Sequence, residues 1–489
     1  MIKVSEIVSK LKVTPFIQNY FDGEIEKISV DSRDVDDKTL FVAIKGFNFD
    51  AHSVLSDVIN KGAAAVVIEK DNLPDEIYSN SKTVKIVVPD TREALAVVSD
   101  LFYDRPSSKM NLYGITGTKG KSTSAFFMKS ILEAAGRKSG LIGTIKNVIG
   151  DRDIPTKLTT PESYTINNLL SEMLTEGISD CVMEVSSHAL SLKRVYGLDF
   201  DVAAFTNLAS DHLDFYGTRE NYFRAKKILF DSLKPSGVAV INADDDFSEQ
   251  IVPDCKGKIV RFGLSENADY RIKNIDFDFS GTRFTVEKSG KEIFLETALI
   301  GDFNAYNALL AFVMAVESGI SIEDAGKGIS SMPQVPGRFE VIKSNGKTVV
   351  IDYAHTAGSL EAVLKATRKI AGNKMKILIV FGAGGDRDKT KRPEMGKTAE
   401  KYSDKIFVTS DNPRTESPNE IIEDVVAGLV NKNVYVNPDR EEAIKSAISE
   451  ADENSVIVIA GKGHEDYQEI NGVRNHFSDK EIAEKYLNI

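Results

Sequence analysis

The sequence predicts an α/β protein built from three domains, and three observations carry this prediction. Short β-branched runs alternate with amphipathic helical patterns, which is the order expected of parallel strands connected by helices. The 489 residues correspond to roughly three domains at about 150 residues each. Segments 102–110 and 330–339 combine Pro with Ser or Gly and indicate linkers. We therefore predict a smaller N-terminal α/β domain at 1–105, a central domain with a parallel sheet at 106–335 and a C-terminal α/β domain at 336–489.

The predicted strands are of the buried type, because each is a run of consecutive apolar residues rather than an alternating pattern. They lie at 63–69, 85–90, 237–245, 376–385, 405–414 and 455–463. Helical patterns follow several of them, as at 421–430 and 441–449. In such sheets ligands bind beyond the carboxyl ends of the strands, and the polar, Gly-rich tails of these runs fall there.

Composition and charge exclude several classes of protein. With 42% hydrophobic and 27% charged residues, the chain is of the ordinary globular type rather than disordered. Its net charge of −12 argues against a surface that neutralises the phosphates of a nucleic acid. No apolar run reaches the roughly 18 residues of a membrane span, and the 2 cysteines are too few for a disulfide framework. We expect a cytoplasmic monomer that acts on small molecules and binds neither nucleic acid nor membrane.

The most informative segment is a Gly-rich loop between an apolar strand and a helix. Its pattern is G-x-x-G-K-[ST], and Ile115 stands where the longer phosphate-loop pattern has its first glycine. Backbone N–H groups and a helix N-terminus suit phosphate oxygens, the lysine reaches the outer phosphates, and a hydroxyl can hold magnesium. The loop consists of Gly117, Thr118, Lys119, Gly120, Lys121, Ser122 and Thr123. These features favour nucleotide binding over the alternative, a Gly-rich turn that only opens a helix.

A second Gly-rich segment, 381–389, follows another apolar run. The dinucleotide pattern G-x-G-x-x-G requires a glycine where Arg387 stands, so an NAD-type dehydrogenase is disfavoured. On the residues alone, a tight turn and a ligand-binding loop remain equally good interpretations of this segment.

Four of the 6 histidines stand at the ends of apolar runs, where an α/β sheet places ligands. They are His188, His212, His355 and His464. Glu184 ends another such run, and its carboxylate is the best magnesium ligand of the central domain because magnesium prefers oxygen. A hydrogen-bonded loop histidine and a salt-bridged glutamate are the structural alternatives.

Ten ordered motifs resemble those of the Mur ligases. They are GITGTKGKST, EVSSHALSLKRV, FTNLASDHLDFYGT, YFRAKKILF, GDFNAYNALLA, PGRFE, DYAHT, FGAGGDRDKTKRPEMG, DNPRTE and AGKGHEDYQ. The likeness runs from DSRDVDDKTLFVAIKG to HFSDKEIA, which is nearly the whole chain. It implies an ATP-dependent amide ligase of peptidoglycan biosynthesis with a UDP-binding N-terminal domain, a central phosphate-loop ATPase domain and a C-terminal Rossmann-like α/β domain that receives an amino acid.

In the family, ATP phosphorylates the side-chain carboxylate of D-Glu in UDP-N-acetylmuramoyl-L-alanyl-D-glutamate, and an incoming amine attacks the acyl phosphate. This chemistry suits the residues, because a carboxylate is a poor electrophile and the phosphoryl step depends on positioning and charge neutralisation.

The resemblance also implies roles for individual residues. Lys121 would contact the outer phosphates of ATP. Magnesium would lie near Ser122, Glu184, His212 and Lys226, and the family carries the last position as a carbamate; a helix-surface lysine is the alternative for Lys226. The other ATP contacts would be Gly117 to Thr123, Asn304, Arg338 and Asp352. The UDP-substrate contacts would be Val30 and Ser32 for uridine, Thr159 and Thr160 for the sugar and peptide, and Ser186 and Arg194 for the anionic end.

The motif Asp411, Asn412, Pro413 and Arg414 bears on which amino acid is added. The family shows this form when the added residue is meso-diaminopimelate, whose second carboxylate Arg414 can bind through two parallel hydrogen bonds. Arg387, Gly461 and Glu465 match the other positions around this zwitterion, with Glu465 suited to its ammonium group. We therefore expect a meso-diaminopimelate-adding ligase. A lysine-adding ligase and a folylpolyglutamate synthase-like ligase are the alternatives within the superfamily, and a phosphate-loop regulator without ligase activity is the alternative outside it.

Overall fold

The computed structural model describes residues 1–11, 16–19, 21–47, 49–70, 73–79, 81–209, 211–430 and 434–488. The chain divides into two compact units. The first unit consists of Met1–Arg271 and Leu309–Gly328, and the second of Ile272–Ala308 and Ile329–Ile489. Within the described ranges, no helix is long and apolar enough to cross a membrane.

The N-terminal part of the first unit is a five-stranded sheet with helices. Its elements are β1 (Ile2–Lys3), α1 (Val4–Lys10), β2 (Phe16–Gln18), β3 (Glu24–Ile25), β4 (Lys27–Ser29), β5 (Thr39–Val42), a 3₁₀ turn (Ala51–Val54), α2 (Leu55–Asn60), β6 (Ala65–Ile68), α3 (Asp75–Ser79), β7 (Val84–Val87) and α4 (Thr91–Phe102). The strand order is β2-β7-β6-β5-β4, in which only β2 is antiparallel, and β1 pairs with β3. Leu40, Val67 and Ile86 pack against Leu95 and Val98 of α4.

The central part of the first unit is a larger sheet that carries the Gly-rich loop. Its elements are a 3₁₀ turn (Pro106–Lys109), β8 (Asn111–Thr116), α5 (Lys121–Ala134), β9 (Ser139–Ile142), β10 (Asn147–Ile149), β11 (Arg152–Ile154), α6 (Ser163–Thr175), β12 (Asp180–Glu184), α7 (Ser187–Ser191), β13 (Val202–Phe205), α8 (Leu213–Tyr216), α9 (Arg219–Asp231), β14 (Val238–Asn242), α10 (Ser248–Ile251) and β15 (Lys258–Gly263). The order is β11-β10-β9-β12-β8-β13-β14-β15, and the six strands from β9 to β15 in this order are parallel. The carboxyl ends of β8, β12 and β13 therefore meet at one edge.

Most of the remaining elements belong to the second unit, but Leu309–Gly328 belongs to the first. They are β16 (Tyr270–Asp278), β17 (Gly281–Lys288), β18 (Lys291–Thr297), α11 (Asp302–Glu317), α12 (Ile322–Ser331), β19 (Glu340–Ser344), β20 (Lys347–Asp352), α13 (Ala357–Ala371), β21 (Lys376–Phe381), α14 (Lys391–Tyr402), β22 (Lys405–Val408), α15 (Pro418–Val426), β23 (Val434–Val436), α16 (Arg440–Glu450), β24 (Ser455–Ala460), β25 (Tyr467–Ile470), β26 (Val473–His476) and α17 (Asp479–Leu487). The six-stranded sheet has the order β19-β20-β24-β21-β22-β23, and only β19 is antiparallel. Apolar clusters cover both of its faces, as expected of a doubly wound sheet.

The predicted α/β class with mainly parallel sheets is confirmed, and each predicted strand overlaps an observed strand. One helix differs from its predicted range: α15 spans Pro418–Val426 instead of extending to Val430. Gly428 lies two residues after the end of α15, and a Cβ at this position would lie 2.0 Å from Pro393 O. The chain therefore packs closely against the segment of Pro393 where the helix was expected to continue. The boundaries 1–105, 106–335 and 336–489 stay a prediction.

Candidate active site

The Gly-rich loop lies between β8 and α5, as predicted. Gly117 and Gly120 have φ values of +145° and +88°, which side chains other than glycine rarely adopt. Lys121, the first residue of α5, turns back over the loop and donates to Gly117 O at 2.9 Å and Thr118 O at 3.1 Å. The loop thus has the strand–glycine–helix architecture that cradles phosphate groups.

Asn207, which was not predicted from the sequence, lies after the end of β13 and forms hydrogen bonds with this loop. Its side-chain carbonyl accepts from Lys119 N at 3.1 Å, its amide donates to Lys119 O at 3.1 Å, and its backbone carbonyl accepts from Thr118 N at 2.9 Å. The signal was present in the sequence, because Asn207 stands in FTNLAS at the carboxyl end of an apolar strand.

Gly117→Ala is expected to raise the KM for ATP by roughly tenfold or more, since a non-glycine residue in a disfavoured backbone region is strained by on the order of 1–3 kcal/mol. A Cβ at this position would also lie 1.8 Å from Thr206 Oγ1 and force the loop to move. Steady-state kinetics at varied ATP measure this effect. Gly136→Ala is the matched control, because Gly136 has φ +72° but no atom within 4 Å of the added Cβ. An unchanged KM for ATP in Gly117→Ala would contradict the role of the loop.

Glu184 ends β12 beside the loop and is only 1% exposed. Its Oε2 accepts from Ser122 Oγ at 2.8 Å and from Thr144 Oγ1 at 3.0 Å, while Oε1 accepts from Thr144 N at 2.8 Å. In the part of the chain that the structure describes, Glu184 forms no ion pair, so the salt-bridged alternative does not apply. A buried carboxylate without a cationic partner, next to a hydroxyl, is an oxygen-rich position that suits Mg²⁺.

Lys226 of α9 is buried rather than on the helix surface, with 1% exposure. Its Nζ donates to Gly117 O at 2.8 Å and lies 4.3 Å from the centre of the Tyr222 ring. Burial, together with the nearby charge of Lys121, places the pKa of Lys226 well below its ordinary value. The fold therefore places Lys226, a lysine with a lowered pKa, in contact with the phosphate loop.

Among the described residues, His212 forms no hydrogen bond or ion pair with Ser122, Glu184 or Lys226, the other proposed metal-site residues; its polar contacts are with Asp211. It is exposed, has φ +52°, and contacts the ring of His188 at 4.8 Å and that of Tyr222 at 6.1 Å between centroids. Tyr222 is thus the side chain shared by His212 and Lys226. Among the described residues, no group of three or more His, Cys, Asp and Glu side chains is close enough to hold a metal ion.

The predicted sugar-peptide residues meet next to Glu184. Thr159 Oγ1 lies 3.1 Å from Thr144 Oγ1, and Thr160 Oγ1 donates to Glu184 O at 2.8 Å and accepts from Ser186 N at 3.0 Å. Arg194 donates to Thr160 O at 3.1 Å and pairs with Glu162 at 2.8 Å. Thr144, which was not predicted, therefore contacts both Glu184, the predicted magnesium ligand, and Thr159, a predicted substrate contact.

The predicted uridine residues lie after the carboxyl end of β4. Val30 packs on the edge of the N-terminal core, and Ser32 O accepts from Lys61 Nζ at 2.6 Å. The structure therefore places both at the carboxyl edge of the parallel strands of this sheet, without a direct contact between them among the described hydrogen bonds.

The predicted ATP contacts Asn304, Arg338 and Asp352 belong to the second unit. Asn304 is buried on α11 and donates to Ile300 O at 2.9 Å. Asp352 ends β20 and accepts from Phe339 N at 2.7 Å; burial raises the pKa of its carboxyl, while the Arg338 guanidinium acts in the opposite direction. Arg338 lies over the ring of Tyr353 at 5.0 Å, and its buried Nε has no partner among the described atoms.

The histidines of the second unit flank Tyr353. The rings of His355 and His464 lie 4.7 and 5.3 Å from it. Burial and the charge of Arg338 lower the pKa of His464 to about 4, so His464 is neutral at pH 7.

Two arginines of the predicted amino-acid site meet at Gly384. A Cβ built there would lie 3.2 Å from Arg414 Nη1 and 3.8 Å from Arg387 Cγ. Arg414 donates to Gly385 O at 2.6 Å, and it forms no ion pair among the described residues, so the surface salt bridge is not found. Arg387 is exposed. The structure thus brings two arginine side chains together on adjacent loops, and guanidinium groups suit a carboxylate ligand.

A second cluster of this site joins the loop after β22 to the loop after β24. Glu465 Oε2 accepts from Asn412 Nδ2 at 2.8 Å and from Lys462 Nζ at 3.0 Å. Lys462, a buried residue that sequence reasoning missed, also lies 3.3 Å from Asn412 Oδ1. Gly461 allows close approach, because a Cβ there would be 2.4 Å from Asp411 Oδ2. Pro413 is buried in the same loop.

Three family models match successive parts of the chain. Residues 24–103 match the model described as "Mur ligase family, catalytic domain", residues 115–315 the Mur ligase middle domain, and residues 337–463 the Mur ligase glutamate ligase domain.

Curated proteins and a solved structure are similar over nearly the full length. UDP-N-acetylmuramoyl-L-alanyl-D-glutamate–2,6-diaminopimelate ligase 1 of Clostridium acetobutylicum is 44% identical, covering 99% of both chains. The corresponding ligase of Bacillus cereus is 42% identical, covering 99% of this chain and 98% of its own. A solved structure of a ligase with this name superposes with a TM-score of 0.69 at 30% identity, covering 96% of this chain and 97% of its own. On these similarities the chain belongs to the Mur ligase family, whose members are ATP-dependent ligases.

Proposed function

We propose that this protein ligates meso-diaminopimelate to the D-Glu side chain of UDP-N-acetylmuramoyl-L-alanyl-D-glutamate, with conversion of ATP to ADP and phosphate, in peptidoglycan biosynthesis. The observation that carries the proposal is the pair of arginine side chains, Arg387 and Arg414, at Gly384 next to the Asn412–Glu465 cluster. An amino acid with a distant second carboxylate and an ammonium group complements such a site. The relatives named above bear the name of this activity.

The first chemical step would take place at the phosphate loop. The D-Glu carboxylate attacks the terminal phosphorus of ATP, and the bond from this phosphorus to the bridging oxygen breaks. ADP is the leaving group, and the carboxylate becomes an acyl phosphate. Lys121 and the backbone of Gly117 to Thr123 would neutralise and orient the phosphates. Asn304, Arg338 and Asp352 are the further residues that we assign to ATP.

Magnesium would be held by Ser122 and Glu184, with His212 and a carbamylated Lys226 nearby. When bound, the ion would neutralise charge on the phosphates. Reaction of the uncharged Lys226 amine with CO₂ gives a carbamate and releases a proton, which converts a cationic side chain into an anionic one. The burial of Lys226 on the phosphate loop supports this assignment.

The UDP-linked substrate would be held by both parts of the first unit. We assign Val30 and Ser32 to uridine, Thr159 and Thr160 to the sugar and peptide, and Ser186 with Arg194 to the anionic end. Contacts of Thr159 and Thr160 with Thr144 and Glu184 support a peptide position close to the phosphate loop.

The second chemical step would use the loops of the second unit. The amine of meso-diaminopimelate attacks the acyl carbon, the carbon–oxygen bond to phosphate breaks, and the amide forms as the nitrogen loses its proton. We assign the binding of this amino acid to Arg387, Asp411, Asn412, Pro413, Arg414, Gly461 and Glu465. Glu465 would accept hydrogen bonds from an ammonium group, and the two arginines would bind carboxylate.

Phosphate release with defined substrates tests the proposal. The assay contains ATP, Mg²⁺ and UDP-N-acetylmuramoyl-L-alanyl-D-glutamate, with meso-diaminopimelate or L-lysine as the third substrate. A parallel assay contains ATP, Mg²⁺, a folate acceptor and L-glutamate. We expect stimulation by meso-diaminopimelate and formation of the UDP-linked tripeptide by mass spectrometry. Stimulation by L-lysine alone would assign the lysine-adding activity instead. Stimulation by L-glutamate with a folate acceptor alone would favour the folylpolyglutamate alternative, and absence of all stimulation would refute a ligase.

We also propose that the domains span 1–105, 106–335 and 336–489 and that the protein is a cytoplasmic monomer. ATP and UDP-linked precursors are the substrates that such a location supplies. Limited proteolysis tests the boundaries, sedimentation equilibrium tests the monomer, and cell fractionation tests the location.

A further inference from the structure

A buried ion pair joins the first residues of two helices in the second unit. Arg440 begins α16 and Asp479 begins α17, and both side chains are shielded from solvent. The guanidinium donates from Nε to Asp479 Oδ1 and from Nη2 to Oδ2, each at 2.7 Å. A bidentate pair of this kind fixes the plane of the guanidinium as well as its position.

The same guanidinium also donates to the backbone of two loops of the proposed amino-acid site. Nη1 lies 3.2 Å from Ser410 O, and Nη2 lies 3.0 Å from Ala460 O. Ser410 directly precedes Asp411, and Ala460 ends β24 directly before Gly461. Arg440 therefore contacts each loop one residue before the first amino acid assigned to substrate binding.

The two loops contact each other at this point. Gly461 has φ +120°, and a Cβ there would lie 2.4 Å from Asp411 Oδ2 and 3.8 Å from Arg440 Nη2. Because the planar guanidinium of Arg440 donates to both carbonyls, it fixes the distance between the two loops. The distance between the loops in turn determines how far Asn412 lies from Glu465. That distance is 2.8 Å between Asn412 Nδ2 and Glu465 Oε2.

We propose that Arg440 is a positioning residue for the amino-acid site, held in its orientation by Asp479; this inference rests on the proposed function above. Arg440 sets the spacing of the loop 410–414 and the loop 460–465, while neither Arg440 nor Asp479 contacts the substrate. A buried ion pair is a weak source of stability, because the cost of desolvation offsets the attraction. The two carbonyl contacts give this pair a geometric role that an apolar pair cannot replace.

Three variants separate positioning from stability. Asp479→Asn leaves the guanidinium in place without its carboxylate. The double variant Arg440→Met/Asp479→Leu replaces the pair by apolar side chains of similar size, a change that often preserves or raises stability. Asp180→Asn is the matched control, because Asp180 is fully buried and paired with Arg137 at the start of β12 in the first unit. For each variant, the KM for each substrate, kcat and Tm are measured.

We expect Asp479→Asn to raise the KM for meso-diaminopimelate by roughly 10- to 100-fold, with the KM for ATP changed less than about twofold. The double variant should recover the Tm of the wild type and keep the raised KM. Asp180→Asn should lower Tm without changing that KM. The positioning role is refuted if the double variant regains the wild-type KM, or if the KM of every substrate changes equally. If meso-diaminopimelate does not stimulate phosphate release by the wild-type enzyme, the proposed function itself is refuted. If it does, but the variants have the wild-type KM for meso-diaminopimelate, the positioning role alone is refuted.

Discussion

Lys226→Met is expected to lower kcat for phosphate release by roughly 100-fold or more, the loss typical of a group that stabilises charge in the transition state. Lys226 is buried on α9 and contacts the phosphate loop at Gly117 O. Methionine keeps the apolar part of the side chain and its volume, but it can neither donate to this carbonyl nor become a carbamate. Steady-state phosphate release at saturating substrates measures the change.

Lys227→Met is the matched control. Lys227 is the next residue of the same helix, and it pairs with Asp231 and Asp254 at the surface instead of facing the loop. We expect this variant to keep kcat within about twofold, because exposed ion pairs contribute little. Equal losses in both variants would indicate damage to α9 and would contradict a specific role of Lys226.

Chemical rescue distinguishes a carbamate from an amine at this position. In Lys226→Ala, a short carboxylate such as acetate should restore part of the rate, whereas methylammonium and bicarbonate should not. Wild-type protein equilibrated with ¹³C-bicarbonate should show a carbamate resonance that Lys226→Met lacks. Rescue by methylammonium, or absence of that resonance, would assign the role to the amine.

The phosphate loop was predictable because its chemistry is contiguous in the sequence. A strand, two glycines, a lysine, a hydroxyl and a helix follow one another, and the backbone rules for glycine and helix termini apply locally. The α/β class was predictable for a similar reason, because each buried strand is a short apolar run.

Residues that act through tertiary contacts were not predictable from local pattern. Thr144 and Lys462 are single polar residues after strands, and each acquires its role only when another loop packs against it. Arg440 and Asp479 are ordinary charged residues in the first turns of two helices, and nothing in the sequence indicates that they pair. The helix α9 carries several charged residues, and the sequence does not indicate that Lys226 is the one whose side chain is buried.

Arg414→Met is expected to raise the KM for meso-diaminopimelate by roughly 100-fold, since hydrogen bonds to charged groups contribute about 1.5–3 kcal/mol each. The backbone of the loop should stay in place. Arg414 N donates to Glu469 O at 3.0 Å and Arg414 O accepts from Asn471 N at 2.7 Å, so the segment from β25 into the following turn holds residue 414 independently of its side chain. The KM for ATP should therefore remain unchanged.

Selectivity is the sharper readout, because L-lysine lacks the carboxylate that Arg414 would bind. An unpaired guanidinium in the wild-type site disfavours L-lysine, and methionine removes this penalty. The ratio of kcat/KM for meso-diaminopimelate to that for L-lysine should fall by at least roughly tenfold in Arg414→Met. Arg474→Met is the matched control, because Arg474 lies on β26 and contacts Tyr467 and Glu469 at the surface. A selectivity ratio that is the same in both variants and the wild type would remove Arg414 from the site and leave Arg387 as the arginine that binds the distal carboxylate.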